Sequence, residues 1–178
     1  MRDLGEVKTR RLILRRIRPD DWRHLHTINS DPTVMATLGG VRDLDASKAG
    51  VTDQIEHWER HGFGWWIALH RVSAEFVGRG GIRHIEFEGR TEVEVGYALV
   101  SGFWGRGLAT ELAGAAVAAG FLDVGLPDLI GLTLSTNAAS RRVLEKVGFR
   151  YARQAAYKGL PHLLYRQTSS RYRPRNME

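Results

Sequence analysis

The most informative stretch of the sequence is WGRGLATE, residues 104–111. It follows an apolar, strand-like segment that ends at Val100 and opens an alanine-rich, helix-like segment that begins near Leu108. Glycines at a strand-to-helix junction let several backbone N–H groups converge, and the helix dipole adds positive potential. The stretch therefore predicts a turn that binds a pyrophosphate, to which Arg106 adds a charge.

Two other phosphate-binding motifs can be compared with this stretch. The dinucleotide fingerprint requires a glycine where Thr110 stands, and the P-loop requires Gly-Lys followed by Ser or Thr, which is missing. Neither motif matches. A tight turn without a ligand remains an alternative explanation of Gly105 and Gly107, and a second motif about 30 residues further along the chain weakens it.

The second motif, NAASRRVLEKVGF, occupies residues 137–149. Its pattern predicts a helix with Asn137 as the N-cap, Ser140 at the third helical position and Gly148 just past the end. These structural roles account for all three residues. The motif taken alone therefore does not indicate any chemistry.

Outward from these motifs, the apolar periodicity predicts a mixed α/β domain. The order is one strand, helices, three strands, a helix, a strand, a helix and two strands, which favours antiparallel hairpins with a parallel crossover in the second half. We expect one domain over residues 1–168 and a flexible basic tail over residues 169–178. The predicted strands cover residues 11–17, 64–71, 75–87, 91–100, 129–135, a segment from 149 and 162–166, and the main helices start near residues 22, 46, 108 and 137.

The third and fourth predicted strands form a hairpin. With a three-residue loop, residues 88–90, Ile85 pairs with Val93 and His84 with Glu94. We prefer this register to a two-residue loop, which we expect to scramble the faces of the two strands. His84 would then lie across from Glu94.

The composition excludes several classes of protein. The chain of 178 residues is 43% hydrophobic and 26% charged, as globular proteins are, and it has no cysteine for disulfides, thiolate metal sites or thiol nucleophiles. No apolar leader and no run of about 18 apolar residues is present, which predicts a cytoplasmic protein without a membrane span. The net charge of +6 divides into +11 on residues 1–18 and 150–178 together and −5 on the rest, so we expect no nucleic-acid surface.

Several spaced motifs together resemble the GNAT superfamily, and within it the RimJ/RimL-type branch of ribosomal-protein N-terminal acetyltransferases. The resemblance covers about residues 9–149. It rests on TRRLILR at 9–15, Asp21, NSDPTVM at 29–35, EVGYAL at 94–99, WGRGLATE and NAASRRVLEKVGF. Trp104 departs from the wider superfamily, which often has Gln or Arg at that position, although Trp is common in this branch.

The resemblance implies a mixed, mostly antiparallel seven-stranded sheet with about four flanking helices, which splays between its fourth and fifth strands. It also implies acetyl-coenzyme A as co-substrate and no metal. The pantetheine arm would enter the splay, where the strand edge would polarise the acetyl carbonyl. The residues implied in cofactor binding are Tyr97, Leu99, Val100, Gly105, Arg106, Gly107, Leu108, Ala109 and Asn137, and Ser140 is implied as the proton donor.

Transfer to an amine requires a base, because a lysine-like amine with a pKa of about 10.4 is protonated at neutral pH. Glu92 and Glu94 share one face of the fourth strand, and partial burial would suit either carboxylate to this role. We favour Glu94, which matches the glutamate before Val-Gly-Tyr in the branch. The alternative is that both are solvated hairpin residues, and His84, if it lies opposite Glu94, would tune or replace it.

The sequence thus predicts an N-acetyltransferase that moves acetyl directly from acetyl-coenzyme A to a primary amine. The acceptor would be a protein N-terminus or a small molecule, and the sequence does not distinguish between them. The alternative function is a non-catalytic sensor or scaffold of the same fold that binds an acyl-coenzyme A. We expect no nucleic-acid or membrane partner, and the resemblance is compatible with a homodimer.

Overall fold

The computed structural model describes residues 4–174, which form an eight-stranded sheet in the spatial order β1-β2-β3-β4-β5-β6-β8-β7. All neighbouring strands are antiparallel except β5 and β6, which are parallel. The strands are β1 (Glu6–Lys8), β2 (Leu12–Arg16), β3 (Trp65–His70), β4 (Phe76–Phe87), β5 (Arg90–Leu99), β6 (Asp128–Leu134), β7 (Arg150–Tyr157) and β8 (Leu160–Thr168). The α-helices are α1 (Trp22–Asn29), α2 (Pro32–Met35), α3 (Leu44–His61), α4 (Leu108–Ala118) and α5 (Ala138–Lys146).

The helices cover both faces of the sheet. Helix α4 packs on the face that carries Tyr97, since a Cβ built on Gly80 would lie 2.9 Å from the Tyr97 side chain and 2.5 Å from Leu112 of α4. The opposite face carries Ala98, which is buried against Ile28 of α1 and against α2. Because α4 is apolar nearly all round, six of its eleven residues are buried in this position.

The sheet splays between β5 and β6, as the resemblance implies. The two strands pair at one register position, Glu94 opposite Ile130. Beyond Glu94 the edge of β5 is therefore not covered by β6, although both strands continue. The parallel pair is also where the chain crosses over through α4, in agreement with the predicted crossover.

The predicted mixed α/β architecture is confirmed, with differences in the number of elements. The sheet has eight strands instead of seven, because the three-residue strand Glu6–Lys8 pairs with β2. Such a short strand is too brief to give a periodic pattern. The pattern of apolar residues predicts a helix over residues 108–122, but α4 ends at Ala118 and the chain continues as a π-helical turn, Ala119–Val124. None of the helices in the described part of the chain is long and apolar enough to cross a membrane.

The register predicted for the β4–β5 hairpin is wrong. The loop contains two residues, 88–89, with φ of 49° and 74°. Positive φ at both positions gives the turn whose twist matches that of the strands it joins. Consequently Glu94 lies opposite Arg83, and His84 pairs with Val93.

The predicted tail begins with structure that packs on the domain. Residues Ser169–Arg171 form a 3-10 turn, and the Ser169 N–H donates to the Pro127 carbonyl at 2.9 Å. The Tyr172 ring lies 5.1 Å from the Phe121 ring, between centroids. The last part of the predicted tail, residues 175–178, lies outside the described residues.

Candidate active site

A cavity of about 1010 Å³ occupies the splay of the sheet. It is lined by the free part of β5, by the facing part of β6 and by the first turns of α4 and α5. Helix α3 and the segment that follows α2 close it on the other face of the sheet. A cleft of this size and position is where an extended ligand can pass between the strands.

The turn that precedes α4 offers a row of free donors. Within the described residues, no backbone N–H group of residues 105–110 has a hydrogen-bond partner, and the helix has no side-chain cap. Gly105 and Gly107 have φ of 73° and 75°, a conformation that glycine adopts without strain. These donors and the helix dipole are compatible with a bound pyrophosphate.

A carboxylate clamp fixes the orientation of this turn. Glu111 of α4 accepts hydrogen bonds from the Thr9 hydroxyl at 2.6 Å and from the backbone N–H and Nε of Arg11, both at 2.7 Å. Arg11 Nη1 also donates to the Arg106 carbonyl at 2.8 Å. Burial alone would raise the pKa of Glu111, but the bonds from Thr9 and Arg11 bring it below its usual value. The side chain of Arg106 stacks 5.4 Å from the Phe103 ring and does not line the cavity.

The free edge of β5 presents backbone groups to the splay. Val100 does not take part, in contrast to the expectation, because its N–H donates to the Val77 carbonyl at 3.0 Å and its carbonyl accepts from Phe103 at 2.9 Å. In an antiparallel pair, the backbone N–H groups of successive residues point alternately to the two sides of the strand. Because the Val100 N–H points to β4, the N–H groups of Tyr97 and Leu99 point to the side of β5 that faces the splay. The Leu99 carbonyl is held by the Trp104 indole at 2.9 Å, which accounts for the tryptophan in WGRGLATE.

Asn137 and Ser140 occupy the first turn of α5, on the opposite wall. Asn137 caps the helix, because its Oδ1 accepts from the Ser140 N–H at 3.0 Å, and its Nδ2 donates to Thr37 at 3.0 Å. The Ser140 hydroxyl lies 3.0 Å from the Tyr97 hydroxyl. Burial raises the pKa of Tyr97, so this phenol keeps its proton and donates a hydrogen bond to the Ser140 carbonyl at 3.0 Å, while its oxygen can accept from the Ser140 hydroxyl.

The two candidate bases differ in position, although they lie on the same strand face. Glu94 is buried, lines the cavity and receives the Nε and Nη2 groups of Arg83 on its Oε2, at 3.3 and 3.2 Å. Glu92 does not line the cavity. Its Oε1 forms an ion pair with Arg166 Nη2 at 2.8 Å, and Arg166 also forms an ion pair with Asp128 of β6. The structure therefore contradicts the placement of Glu92 at the site, because the cleft ends at Glu94.

Several cavity residues were not assigned from the sequence. Trp65 lines the cavity between Arg79 and Arg83, whereas Trp66 is buried in the core. Gly96 is required beneath Trp65, since a Cβ there would lie 3.3 Å from the indole ring. Trp65 and Trp66 are consecutive residues of β3 and therefore point to opposite faces, so only one of them can line the site. No motif marks the two arginines.

His84 belongs to a separate cluster with His57 and His61, whose ligand atoms lie within 4.8 Å of one another. His57 Nδ1 is 2.8 Å from the Phe63 carbonyl, and its Nε2 accepts from the His84 N–H at 3.0 Å. Both ring nitrogens of His57 are thus held by the backbone, which removes one of the three possible metal ligands. The expected contact between His84 and Glu94 does not form.

Known proteins are similar to this chain in sequence and in fold. Residues 11–150 match the family model described as Acetyltransferase (GNAT) domain. The uncharacterized protein YkkB of Bacillus subtilis (strain 168) is 31% identical over 140 residues, which cover 79% of this chain and 81% of that protein.

Two solved structures extend this similarity. The acetyltransferase from Agrobacterium tumefaciens str. C58 superposes with a TM-score of 0.82 at 26% identity, covering 94% of this chain and 96% of that one. RimL, the ribosomal L7/L12 alpha-N-protein acetyltransferase, in complex with coenzyme A has the same fold, with a TM-score of 0.75 at 18% identity over 92% of this chain and 97% of that one. The chain belongs to the GNAT acetyltransferase family, in its RimJ/RimL-like branch, and is an N-acetyltransferase that uses acetyl-coenzyme A.

Proposed function

We propose that the enzyme transfers acetyl directly to a primary amine, a protein N-terminus or a small molecule, without a covalent enzyme intermediate. The observation that carries this proposal is the meeting, in one cavity, of the donor row at residues 105–110, the carboxylate of Glu94 and the hydroxyl of Ser140. The cavity passes through the splay of the sheet. A thioester carried from one face and an amine from the other can therefore meet beside the free edge of β5.

The acetyl donor would be held mainly by backbone groups of this chain. The N–H groups of residues 105–110 bind the pyrophosphate, and the N–H groups of Tyr97 and Leu99 bind the arm that lies along β5. A backbone N–H aimed at the thioester oxygen stabilises the charge that develops on it, and it needs no reorganisation to do so. When bound, acetyl-coenzyme A supplies an activated acyl group on a thiolate leaving group with a pKa of about 8.5.

Glu94 accepts the proton of the attacking amine. The amine nitrogen forms a bond to the acetyl carbon, the carbon–sulfur bond breaks, and the amine proton passes to the Glu94 carboxylate directly or through water. Both bonds from Arg83 end on Oε2, so Oε1 has no partner among the described residues and is the oxygen assigned to this role. The Ser140 hydroxyl then donates its proton to the departing sulfur and takes up a proton from water, so the thiol leaves neutral and the hydroxyl is restored. The Tyr97 oxygen lies 3.0 Å from this hydroxyl.

The experiment that tests this proposal follows thiol release with acetyl-coenzyme A and a panel of primary amines, N-terminal peptides and small molecules in separate arms. Acetyl transfer to a member of the panel, with one thiol released per amide formed, is the expected result. The alternative function is an acyl-coenzyme A sensor. Tight binding of acetyl-coenzyme A by calorimetry without amide formation in any arm would support that alternative and contradict the enzyme.

A further inference from the structure

Arg79 is the most unusual charged residue of the cavity. Only 6% of its surface is exposed, and its guanidinium forms no hydrogen bond or ion pair with any residue between 4 and 174. Burial, followed by repulsion from Arg83 and Arg42, lowers its pKa to about 9, so the side chain is still a cation at neutral pH. A buried cation without a counter-ion is costly to the fold. The fold thus retains a charge that no described part of the chain neutralises by contact.

Trp65 stacks against the guanidinium groups of both Arg79 and Arg83. The two guanidinium carbons lie 3.9 and 4.1 Å from the centre of the indole ring. Stacking on an aromatic ring orients a guanidinium while leaving its N–H groups free to donate. Arg83 uses Nε and Nη2 for Glu94, so its Nη1 and all the guanidinium donors of Arg79 lack a partner among the described residues.

The cavity lining as a whole also carries an excess of positive charge. Its lining contains the cations Arg42, Arg79, Arg83, Arg142, Lys146 and Lys158 and two carboxylates, Asp53 and Glu94. Burial, followed by repulsion from Arg83 and Arg42, lowers the pKa of Lys158, which agrees with an excess of positive charge in the cavity. An anion bound here would pair with Arg79 and relieve this repulsion.

We propose that Arg79 and Arg83 form an anion subsite that binds a carboxylate or phosphate group carried by the acceptor amine. This inference rests on the function proposed above and narrows its acceptor to amines that bear a negative charge. Planar guanidinium donors match the bidentate geometry of both anions. Glu94, on the other side of Arg83, then faces the amine end of the same molecule, so the site is complementary to both ends of the acceptor.

The phosphates of the acetyl donor are an alternative occupant, and the fold argues against them. Arg79 is paired with Ala98, so its side chain lies on the sheet face that α1 and α2 cover. The donor row at residues 105–110 and the cations Arg142 and Lys146 belong to α4, α5 and the turn before α4. The pyrophosphate therefore has its own partners, and the arginine pair is left to the acceptor.

Matched amines test the subsite. Amino acids are compared with their C-terminal amides, and aminoalkyl phosphates with the corresponding amino alcohols, because the members of each pair differ mainly in the anionic group. We expect the anionic member to be acetylated with a kcat/KM about 10- to 100-fold higher than its neutral partner, as charge-assisted hydrogen bonds predict. The pair with the larger ratio identifies the anion as carboxylate or phosphate. Equal ratios near one in all pairs would overturn the proposal.

The variant Arg79→Met removes the charge and keeps the length of the side chain. We expect the preference for anionic amines to disappear, KM for them to rise about 10- to 100-fold and the Kd of acetyl-coenzyme A to stay unchanged. Arg79→Lys should restore part of the preference. Because the variant also removes an uncompensated buried charge, its Tm should rise by about 2–4 °C. The matched control is Arg90→Met, an exposed arginine of the same hairpin, which should change none of these quantities.

The remaining outcomes separate this inference from the proposed function. A thermal shift with the same amines, measured without acetyl-coenzyme A, reports binding independently of transfer. Selective binding of the anionic amines by the wild type and not by Arg79→Met, with no transfer to any amine, would keep the subsite and contradict the proposed transfer. A lower Tm of Arg79→Met with the amine preference intact, or weaker binding of acetyl-coenzyme A alone, would overturn the subsite in favour of a structural or donor-binding arginine.

Discussion

The two ends of the cavity are built in different ways. The donor end consists of consecutive backbone N–H groups at residues 105–110, whereas the acceptor end consists of side chains from three strands, Trp65, Arg79, Arg83 and Glu94. Backbone donors depend on the conformation of one short segment, and any side chain that allows that conformation preserves them. Side-chain sites depend on residue type at positions that are far apart in sequence. A change in a single side chain should therefore affect the acceptor end far more than the donor end.

The largest expected effect distinguishes Glu94 from Glu92. Glu94→Gln keeps the size of the side chain but cannot accept the amine proton, so kcat should fall by about 10² to 10⁴ with little change in the Kd of acetyl-coenzyme A. Glu92→Gln is the matched control, since that carboxylate pairs with Arg166 outside the cavity. Initial rates from about pH 6 to 10 should show partial recovery of Glu94→Gln as the amine loses its own proton. Full activity of Glu94→Gln, or loss with Glu92→Gln alone, would show that the base is assigned wrongly.

The next effect concerns the donor end. At Gly107 a Cβ meets nothing closer than Arg11 Nη2 at 3.5 Å, but φ is +75°, so a substitution acts mainly through the backbone. Gly107→Val adds β-branching to this strain and would disturb the fold as well, so Gly107→Ala is the cleaner variant. We expect its Kd for acetyl-coenzyme A, measured by calorimetry, to rise about tenfold or more.

Gly89→Ala provides the control for the donor turn. Gly89 has φ of +74° and lies in the β4–β5 loop with open space around it, so its substitution carries a similar backbone strain away from the site. Both variants should lose a similar amount of stability. A Kd equally affected in both would mean that general destabilisation, and not the turn, determines cofactor binding.

Ser140 should contribute less than Glu94. A thiolate is a tolerable leaving group without assistance, and Ser140→Ala removes one hydroxyl donor while Asn137 still caps α5 through the backbone of residue 140. We expect kcat to fall about tenfold, in line with the loss of one hydrogen bond. Tyr97→Phe, measured in the same assay, tests whether the neighbouring hydroxyl supports Ser140. A larger loss for Ser140→Ala than for Glu94→Gln would reverse the order of the two roles.

The smallest expected effect is on the pH dependence of folding stability, and it comes from His57 of α3. Burial, with smaller contributions from His61, His84 and Arg83, lowers the pKa of His57 from 6.5 to about 4. Between these values the unfolded chain binds a proton that the folded chain does not, so folding stability falls as the pH drops through this interval. Wild-type Tm should fall from pH 7 to pH 4.5, and His57→Gln should fall less. His70→Gln, at the half-buried C-terminal end of β3, should retain the wild-type dependence.

The difference between the two ends of the cavity also explains which parts of the candidate site could be predicted from the sequence. WGRGLATE predicts the donor turn, because the glycines, the strand before it and the helix after it are contiguous. The splay could be placed because the resemblance to the family implies it between the fourth and fifth predicted strands, which are β5 and β6 of the structure. The arginine pair could not be found, because Arg79 and Arg83 become neighbours only when Trp65 of β3 stacks between them.

The wrong register of the β4–β5 hairpin also has a physical cause, which lies in the conformation of its loop. A shift of one residue in the loop, 88–89 instead of 88–90, places Arg83 opposite Glu94 and moves His84 away. The sequence favours the three-residue loop because it pairs the apolar residues Ile85 and Val93, whereas the register of the structure places Ile85 opposite Glu92. The positive φ of Glu88, which a non-glycine residue seldom adopts, was not evident from its identity.

The clamp on Glu111 has a consequence for the order in which the chain folds. Its hydrogen bonds join residues about 100 positions apart, so they form only after the segment between them has brought β2 and α4 together. Contacts of such high contact order slow folding, whereas loop-closure entropy grows only with the logarithm of length and makes them affordable at equilibrium. During synthesis, the N-terminal strands must wait for most of the sheet to emerge before the turn at residues 105–110 acquires its final orientation.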